Sequence, residues 1–203
     1  MRAKRVFDLL LAVPAALLLL LPMLLIGCAV RLDSPGPALF RQQRIGRHGR
    51  PFAILKFRTM RHGAEGQGPA VTAGGDDRIT RCGRWLRRHK LDELPQLFNV
   101  IGGSMSLVGP RPEVPRYVER YPAASRALIL SVPPGITARA ALAYRDEEAL
   151  LAGADDAERC YLERVLPAKL ALDEDYVRNR SLAGDCRILL DTLLALYGKR
   201  RAP

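Results

Sequence analysis

From Leu9 to Val30 the chain runs for 22 residues without a charge. At about 1.5 Å per residue, a helix over this run would reach roughly 33 Å, enough to cross a hydrocarbon layer of about 30 Å. A cleaved signal peptide has a shorter apolar run, and Gly27-Cys28-Ala29 is only a weak cleavage pattern. A single-pass anchor also satisfies the length. The flanks argue against it, because both are basic: Arg2, Lys4 and Arg5 before the run, then Arg31, Arg41, Arg44, Arg47 and Arg50 after it. The positive-inside rule resists placing either cluster outside. Pro22, in the second half of the run, deletes one helix hydrogen bond and favours a kink. A helix that enters, breaks at Pro22 and returns to the same face reconciles these observations, while Pro14 is a second place to bend. The expected division is a membrane helix over residues 1–33 and a cytoplasmic domain over 34–203.

At 203 residues with 48% apolar content, the chain has ample material for one core. A net charge of +11 directs attention to polyanionic partners: nucleic acid, anionic membrane or phosphorylated substrates. Only 6% of residues are aromatic, with Trp85 alone inside the basic run Arg84 to Lys90, which disfavours nucleic acid. Cys28, Cys82, Cys160 and Cys186 are scattered without metal-ligand or disulfide spacing, as are His48, His62 and His89.

The densest chemical signal is Leu91-Asp92-Glu93-Leu94-Pro95-Gln96-Leu97-Phe98-Asn99, which follows the basic run Arg84 to Lys90. Leu94, Leu97, Phe98 and Ile101 recur at helical spacing up to the stop Gly102-Gly103. Asp92 reads as an N-cap or first-turn residue, with Pro95 in the first turn, and acids at a helix start are commonly just caps. Surrounded by cations, the same carboxylate is kept ionised and able to attack phosphorus. Gly109-Pro110-Arg111-Pro112 fixes one guanidinium on a stiff turn, which suits either a phosphate grip or a plain rigid loop.

Asp33-Ser34-Pro35-Gly36-Pro37 is a turn cluster, and Ala38-Leu39-Phe40 and Phe52–Phe57 are strand-like runs around Gly46-Arg47-His48-Gly49, predicting a hairpin. His62 to Asp77 is glycine-rich and reads as a mobile loop able to close over a substrate. Arg81 to Lys90 is predicted helical, either interfacial or simply solvated. Pro133-Pro134-Gly135-Ile136-Thr137 is a second rigid turn, and Asp146 to Asp173 is predicted mostly helical. Leu182, Cys186, Leu189, Leu190, Leu193, Leu194 and Tyr197 form one helical face, read as packing on the core in preference to the bilayer, before the basic Lys199-Arg200-Arg201. The fold class is therefore α+β, mainly helical, with a small strand-containing domain and amphipathic helices.

Several ordered segments resemble one family, the monotopic phosphoglycosyl transferases, bacterial sugar transferases that initiate glycoconjugate assembly. They are Lys4-Arg5-Val6-Phe7-Asp8, the proline-broken apolar helix, Lys56-Phe57-Arg58-Thr59-Met60, Asp77 to Arg84, Leu91 to Val100, Met105 to Pro112, Pro134-Gly135-Ile136-Thr137 and Asp173…Tyr176-Val177-Arg178-Asn179. The resemblance implies transfer of a sugar 1-phosphate from a nucleoside diphosphate sugar, usually a UDP-sugar, to polyprenyl phosphate, with release of the nucleoside monophosphate and a need for Mg²⁺. It implies Asp92 as the nucleophile of a covalent phosphosugar intermediate and Glu93 as its partner, the two supporting the metal. It implies Arg111, Arg87, Arg145, Lys56 and Arg58 on substrate phosphates, with Asp173 and Thr137 as further active-site candidates. It also implies a monotopic protein in the bacterial inner membrane, on a phospholipid bilayer, with the active site on the cytoplasmic face; homodimerisation is left open.

Two departures stand out. Many members have Ser before the membrane-helix proline, where this chain has Leu21. After Gly135-Ile136-Thr137, a Gly-Trp-Ala-Gln-like run is replaced by Ala138 to Glu148, the stretch taken to influence sugar choice. Two other classes compete: a membrane-anchored basic module without catalysis, and a metal-dependent phosphohydrolase using Asp92 and Glu93.

Overall fold

The computed structural model describes residues 2–64 and 76–197. Gly66, Gly68, Gly74 and Gly75 of the expected substrate loop, and Lys199-Arg200-Arg201, lie outside them. The apolar run forms two helices, α1 (Arg2–Leu18) and α2 (Leu20–Asp33), bent by 59°. Among the described residues no single helix is long and apolar enough to cross a membrane. The break falls at Leu19, three residues before Pro22, which corrects its expected position. Pro22 lacks the N–H that would bond the Leu18 carbonyl, and its ring crowds that carbonyl, so the helix yields one turn upstream. Helical bonding brackets the gap, with Leu19 N–H to Ala15 O at 2.9 Å and Met23 N–H to Leu19 O at 2.8 Å. Pro14 sits inside α1 without ending it.

After α2 comes an antiparallel hairpin, β1 (Leu39–Ile45) and β2 (Pro51–Phe57), paired from Leu39↔Phe57 to Ile45↔Pro51. Helix α3 (Arg81–Arg88) follows, capped by Thr80 Oγ1 accepting from Gly83 N–H at 3.0 Å. A 3₁₀ turn (Leu91–Glu93) leads into α4 (Gln96–Ile101). A two-stranded parallel sheet then joins β3 (Ser106–Val108) to β4 (Gly135–Thr137), across the short α5 (Pro115–Val118) and α6 (Ala123–Ile129). Gly109 and Gly135 pass so closely that a Cβ on either would overlap the other segment's backbone. Helices α7 (Arg139–Ala143), α8 (Glu147–Ala152), α9 (Ala157–Cys160), α10 (Leu166–Asn179) and α11 (Leu182–Tyr197) complete the described chain. The α+β, mainly helical class holds.

One core gathers Ala12 and Ala16 of α1, Ile54, Leu97, Val100, Leu107, Val177 and Ile188. The first helix is therefore seated on the domain, and its polar end is bolted there. Buried Asp8 accepts from the Ser106 hydroxyl (2.8 Å) and the Leu107 N–H (3.2 Å), and pairs with Lys4 (2.6 Å). Lys4 also reaches Asp185 of α11 at 3.3 Å. Arg5 donates to the Val100 and Ile101 carbonyls at the end of α4, where helix acceptors are otherwise unmet.

Helix α11 corrects a second expectation. Its buried positions are Asp185 and Ile188, with Leu189 and Thr192 half-buried, while Leu182, Leu190, Leu193 and Leu194 are exposed. The inward face is set by polar anchors, with Tyr176 OH 2.8 Å from Asp185 and Thr192 paired to Thr137, and this turns the leucine row outward.

Candidate active site

Asp92 and Glu93 sit in the 3₁₀ turn, entered through Lys90 at φ 56°, ψ 23°, a left-handed conformation rare for a side-chain-bearing residue. Asp92 makes no cap hydrogen bond, so the cap reading gives way to a carboxylate facing a cavity. Its Oδ1 is buried without a protein partner. Burial and the neighbouring Glu93 push the Asp92 carboxyl above its usual range, while Lys56, Arg87 and Lys90 pull the other way.

Glu93 behaves oppositely. Burial opposes its ionisation, but Arg111 and Lys56 outweigh that and hold it well below the usual carboxylate range. Lys56 Nζ lies 3.1 Å from Oε1, and both amino groups of Arg111 reach the carboxylate, one at 3.1 Å from Oε2. The Arg111 turn is fixed by Gly109 N–H to Thr137 O (3.0 Å) and Gly135 N–H to Pro110 O (2.9 Å). One carboxylate is thus neutralised by two cations, and its neighbour is left without a close ion pair.

These residues line a polar cavity of about 260 Å³ that also takes in Arg44, Thr59, Arg87, Lys90, Glu113, Glu147, Glu148, Tyr161 and Lys169. Beside it lies a cavity of about 410 Å³ whose walls are largely apolar: Ala15, Leu19, Leu94, Leu97, Ile136, Ala141, Leu142 and Leu196. Lys90, Glu93, Arg111, Glu147, Glu148 and Lys169 line both. The bent α1–α2 pair supplies Ala15 and Leu19, so the bend shapes a wall of the second cavity.

Most expected residues converge here. Lys56 and Arg111 pair with Glu93, and Arg87 lines the polar cavity, bonded to Thr59 Oγ1 and Glu148 at 3.0 Å each. Arg145 and Thr137 line the apolar cavity. Arg58 lines the polar cavity as well, but its donors are turned away from the phosphate role expected of it. It is 2% exposed, and its guanidinium donates to the carbonyls of Val30, Ser34, Gly36, Pro37 and Met60 and to the Ser34 hydroxyl, tying off the end of α2. Five N–H donors are already occupied. Asp173 lines neither cavity; it is buried behind the polar one, with Oδ1 unpartnered, and burial lifts its carboxyl to about 7 despite Lys169.

Sequence reading missed the back wall. Glu113 accepts from Tyr161 OH at 2.7 Å and lies near Arg44 (3.4 Å) and Lys169 (3.6 Å), and Lys169 also pairs with Glu147 at 2.9 Å. The available signals were Glu113 directly after Pro112, and Lys169 four residues before Asp173 on one helical face.

Comparison with known proteins places the chain among its relatives. The pattern defining the bacterial sugar transferases matches residues 1–199. A UDP-glucose:undecaprenyl-phosphate glucose-1-phosphate transferase of Caulobacter vibrioides is 42% identical, covering 95% of this chain and 69% of that protein. A UDP-N-acetylgalactosamine-undecaprenyl-phosphate N-acetylgalactosaminephosphotransferase of Aeromonas hydrophila is 37% identical, covering 97% and 45%. An exopolysaccharide production protein of Rhizobium leguminosarum is 36% identical, covering 95% and 94%. The chain thus spans less than half of one relative and nearly all of another. With the match running from the first helix to the last, across both cavities, this chain belongs to the bacterial sugar transferase family.

Proposed function

We propose that the protein transfers a sugar 1-phosphate from a UDP-sugar to polyprenyl phosphate through a phospho-aspartyl intermediate on Asp92. The observation that carries this reading is the pair of cavities of opposite polarity meeting at one charged rim. A diphosphate needs cations and a lipid acceptor needs an apolar channel, and the reaction needs both ends within reach of one carboxylate.

The donor diphosphate enters the polar cavity and competes with Glu93 for Arg111 and Lys56. The Asp92 carboxylate then attacks the sugar-bearing phosphorus, the bond to the bridging oxygen breaks, and UMP leaves with that electron pair. The acceptor's chain lies in the apolar cavity, and its phosphate oxygen attacks the same phosphorus, releasing Asp92. Exclusion of water strengthens each of these electrostatic contacts. The donor set suits Mg²⁺, which takes one or two carboxylates plus substrate phosphates; Asp92 and the released Glu93 would hold it. Among the described residues no third acidic, His or Cys ligand joins them. When bound, the ion supplies charge neutralisation for the diphosphate.

The bent α1–α2 pair and the exposed leucines of α11 support a reading in which the protein sits on a membrane, with both flanks of the pair on the cytoplasmic face and α11 at the bilayer interface. A phosphohydrolase would have no use for the apolar cavity, and a binding module would have none for an unpaired carboxylate in a cationic pocket.

Labelled UDP-sugar incubated with and without polyprenyl phosphate tests the reaction, with the variant Asp92→Asn alongside. Wild type should give UMP and a lipid product, and donor alone should leave a sugar-phosphate adduct on Asp92 by mass spectrometry. Asp92→Asn keeps volume and fold, and transfer should fall by several orders of magnitude. A folded Asp92→Asn protein with near-normal transfer would sink the covalent route, and free sugar phosphate as the product would identify a hydrolase.

A further inference from the structure

Gln96 is 1% exposed, and neither atom of its side-chain amide has a hydrogen-bond partner. An amide buried in this way costs about 1–3 kcal/mol, and a methionine would fill a similar volume without that cost. Stability alone gives no reason for a glutamine here. Four residues earlier, Asp92 Oδ1 is in the same condition.

The backbone between them is continuously right-handed: the 3₁₀ turn, Leu94 at φ −52°, Pro95 at φ −62°, then α4. Leu97 N–H bonds Leu94 O at 3.1 Å and Leu94 N–H bonds Leu91 O at 3.3 Å, so the turns are joined. These bonds span three residues, so Gln96 follows Asp92 by a little more than one tight turn, and along α4 residues three apart are neighbours on one face. Asn99, three residues on, shows where that face points. Its amide donates to Ala53 O (2.8 Å) and accepts from Leu55 N–H (2.9 Å), closing the free edge of β2. Gln96 therefore stands between a residue bonded to the strand and the carboxylate at the cavity, and it lines neither cavity itself.

We propose that Gln96 is a positioning residue for Asp92: with donor bound, its Nε2 donates to Asp92 Oδ1 and so fixes the other carboxylate oxygen in line with the phosphorus. The proposal rests on Asp92 being the nucleophile. A neutral donor suits this task better than a cation, because it stops rotation of the carboxylate without neutralising the charge that attacks. A small misalignment of reacting groups is enough to cost about 10²-fold in rate.

Gln96→Met tests it, with thermal melting, steady-state kinetics and the rate of adduct formation from UDP-sugar alone measured beside wild type. The expected result is an unchanged or raised melting temperature, a UDP-sugar KM within about twofold of wild type, and kcat and adduct formation both reduced about 10- to 100-fold. A markedly lower melting temperature, or failure to fold, would mark the amide as structural and overturn the proposal. Adduct formation at the wild-type rate would overturn it as well. If wild type forms no adduct, the nucleophile assignment itself fails, an outcome separate from a wild-type adduct that Gln96→Met forms equally fast.

Discussion

The two cavities share a rim but are built differently. The polar one draws Lys56 from β2, Arg87 from α3, the Asp92-Glu93 turn and Arg111 from its proline-flanked loop, each a short charged motif. The apolar one is assembled from one or a few residues each of α1, α4, β4, α7 and α11, segments up to about 180 positions apart in a 203-residue chain. A charged pocket is written locally, because each cation must be specified by its own codon and fixed by its own turn. An apolar groove is a by-product of how helices pack, and any of their small or branched side chains can serve as its wall.

The largest test of this contrast is Pro22→Ala. It restores the hydrogen bond to the Leu18 carbonyl and removes the ring clash, changes together worth about 3 kcal/mol in a helix interior. A straightened helix withdraws Ala15 and Leu19 from the apolar cavity. Transfer to polyprenyl phosphate should fall by more than tenfold, and cysteine labelling near Arg2 should shift toward the periplasmic side. Labelling unchanged from wild type, with full transfer, would separate the bend from the acceptor site.

A smaller and more selective effect is expected for Ala141→Phe, which narrows the apolar cavity from α7. The acceptor KM should rise about tenfold, while adduct formation from UDP-sugar alone stays near wild type. Equal damage to both half-reactions would mean the two cavities do not divide the substrates between them.

The smallest change concerns Asp173, behind the polar wall. Burial raises its carboxyl from the ordinary 3.8 to about 7, with Glu113 adding to the rise and Lys169 opposing it. Between about pH 4 and 7 the folded chain keeps a proton that the unfolded chain has released, so this group's contribution to stability falls as pH rises through that window and is fully lost above it. Asp173→Asn removes the titration. Its melting temperature should exceed wild type most at pH 8, by a few degrees, and the gap should close toward pH 4. A gap independent of pH would show that Asp173 is ionised in the fold, held by Lys169.

Much of the polar site was legible in the chain. Leu91–Asn99 announced adjacent carboxylates after a basic run, and Gly109–Pro112 announced one stiffened arginine. Arg58 shows the limit of that reading. It lies in the same Lys56–Met60 motif as Lys56 and also lines the polar cavity, yet packing turned its guanidinium to the carbonyls at the end of α2, where a buried guanidinium can satisfy all its donors. Glu113 and Lys169 were missed for the converse reason: their only local marks, a place after Pro112 and one four residues before Asp173, are weak, and they meet only because α10 folds back against the segment after Arg111.

By itself the sequence determined the apolar run and its proline, the placement of the hairpin, the dyad and the stiff arginine turn, since periodicity, proline and paired charges act over a few residues. Only the tertiary structure decided that the break falls at Leu19, that the leucines of α11 face outward, and that Glu93 takes both cations while Asp92 takes neither. Those outcomes depend on which distant groups are left to satisfy one another once the core has closed, and no short window of sequence contains that information.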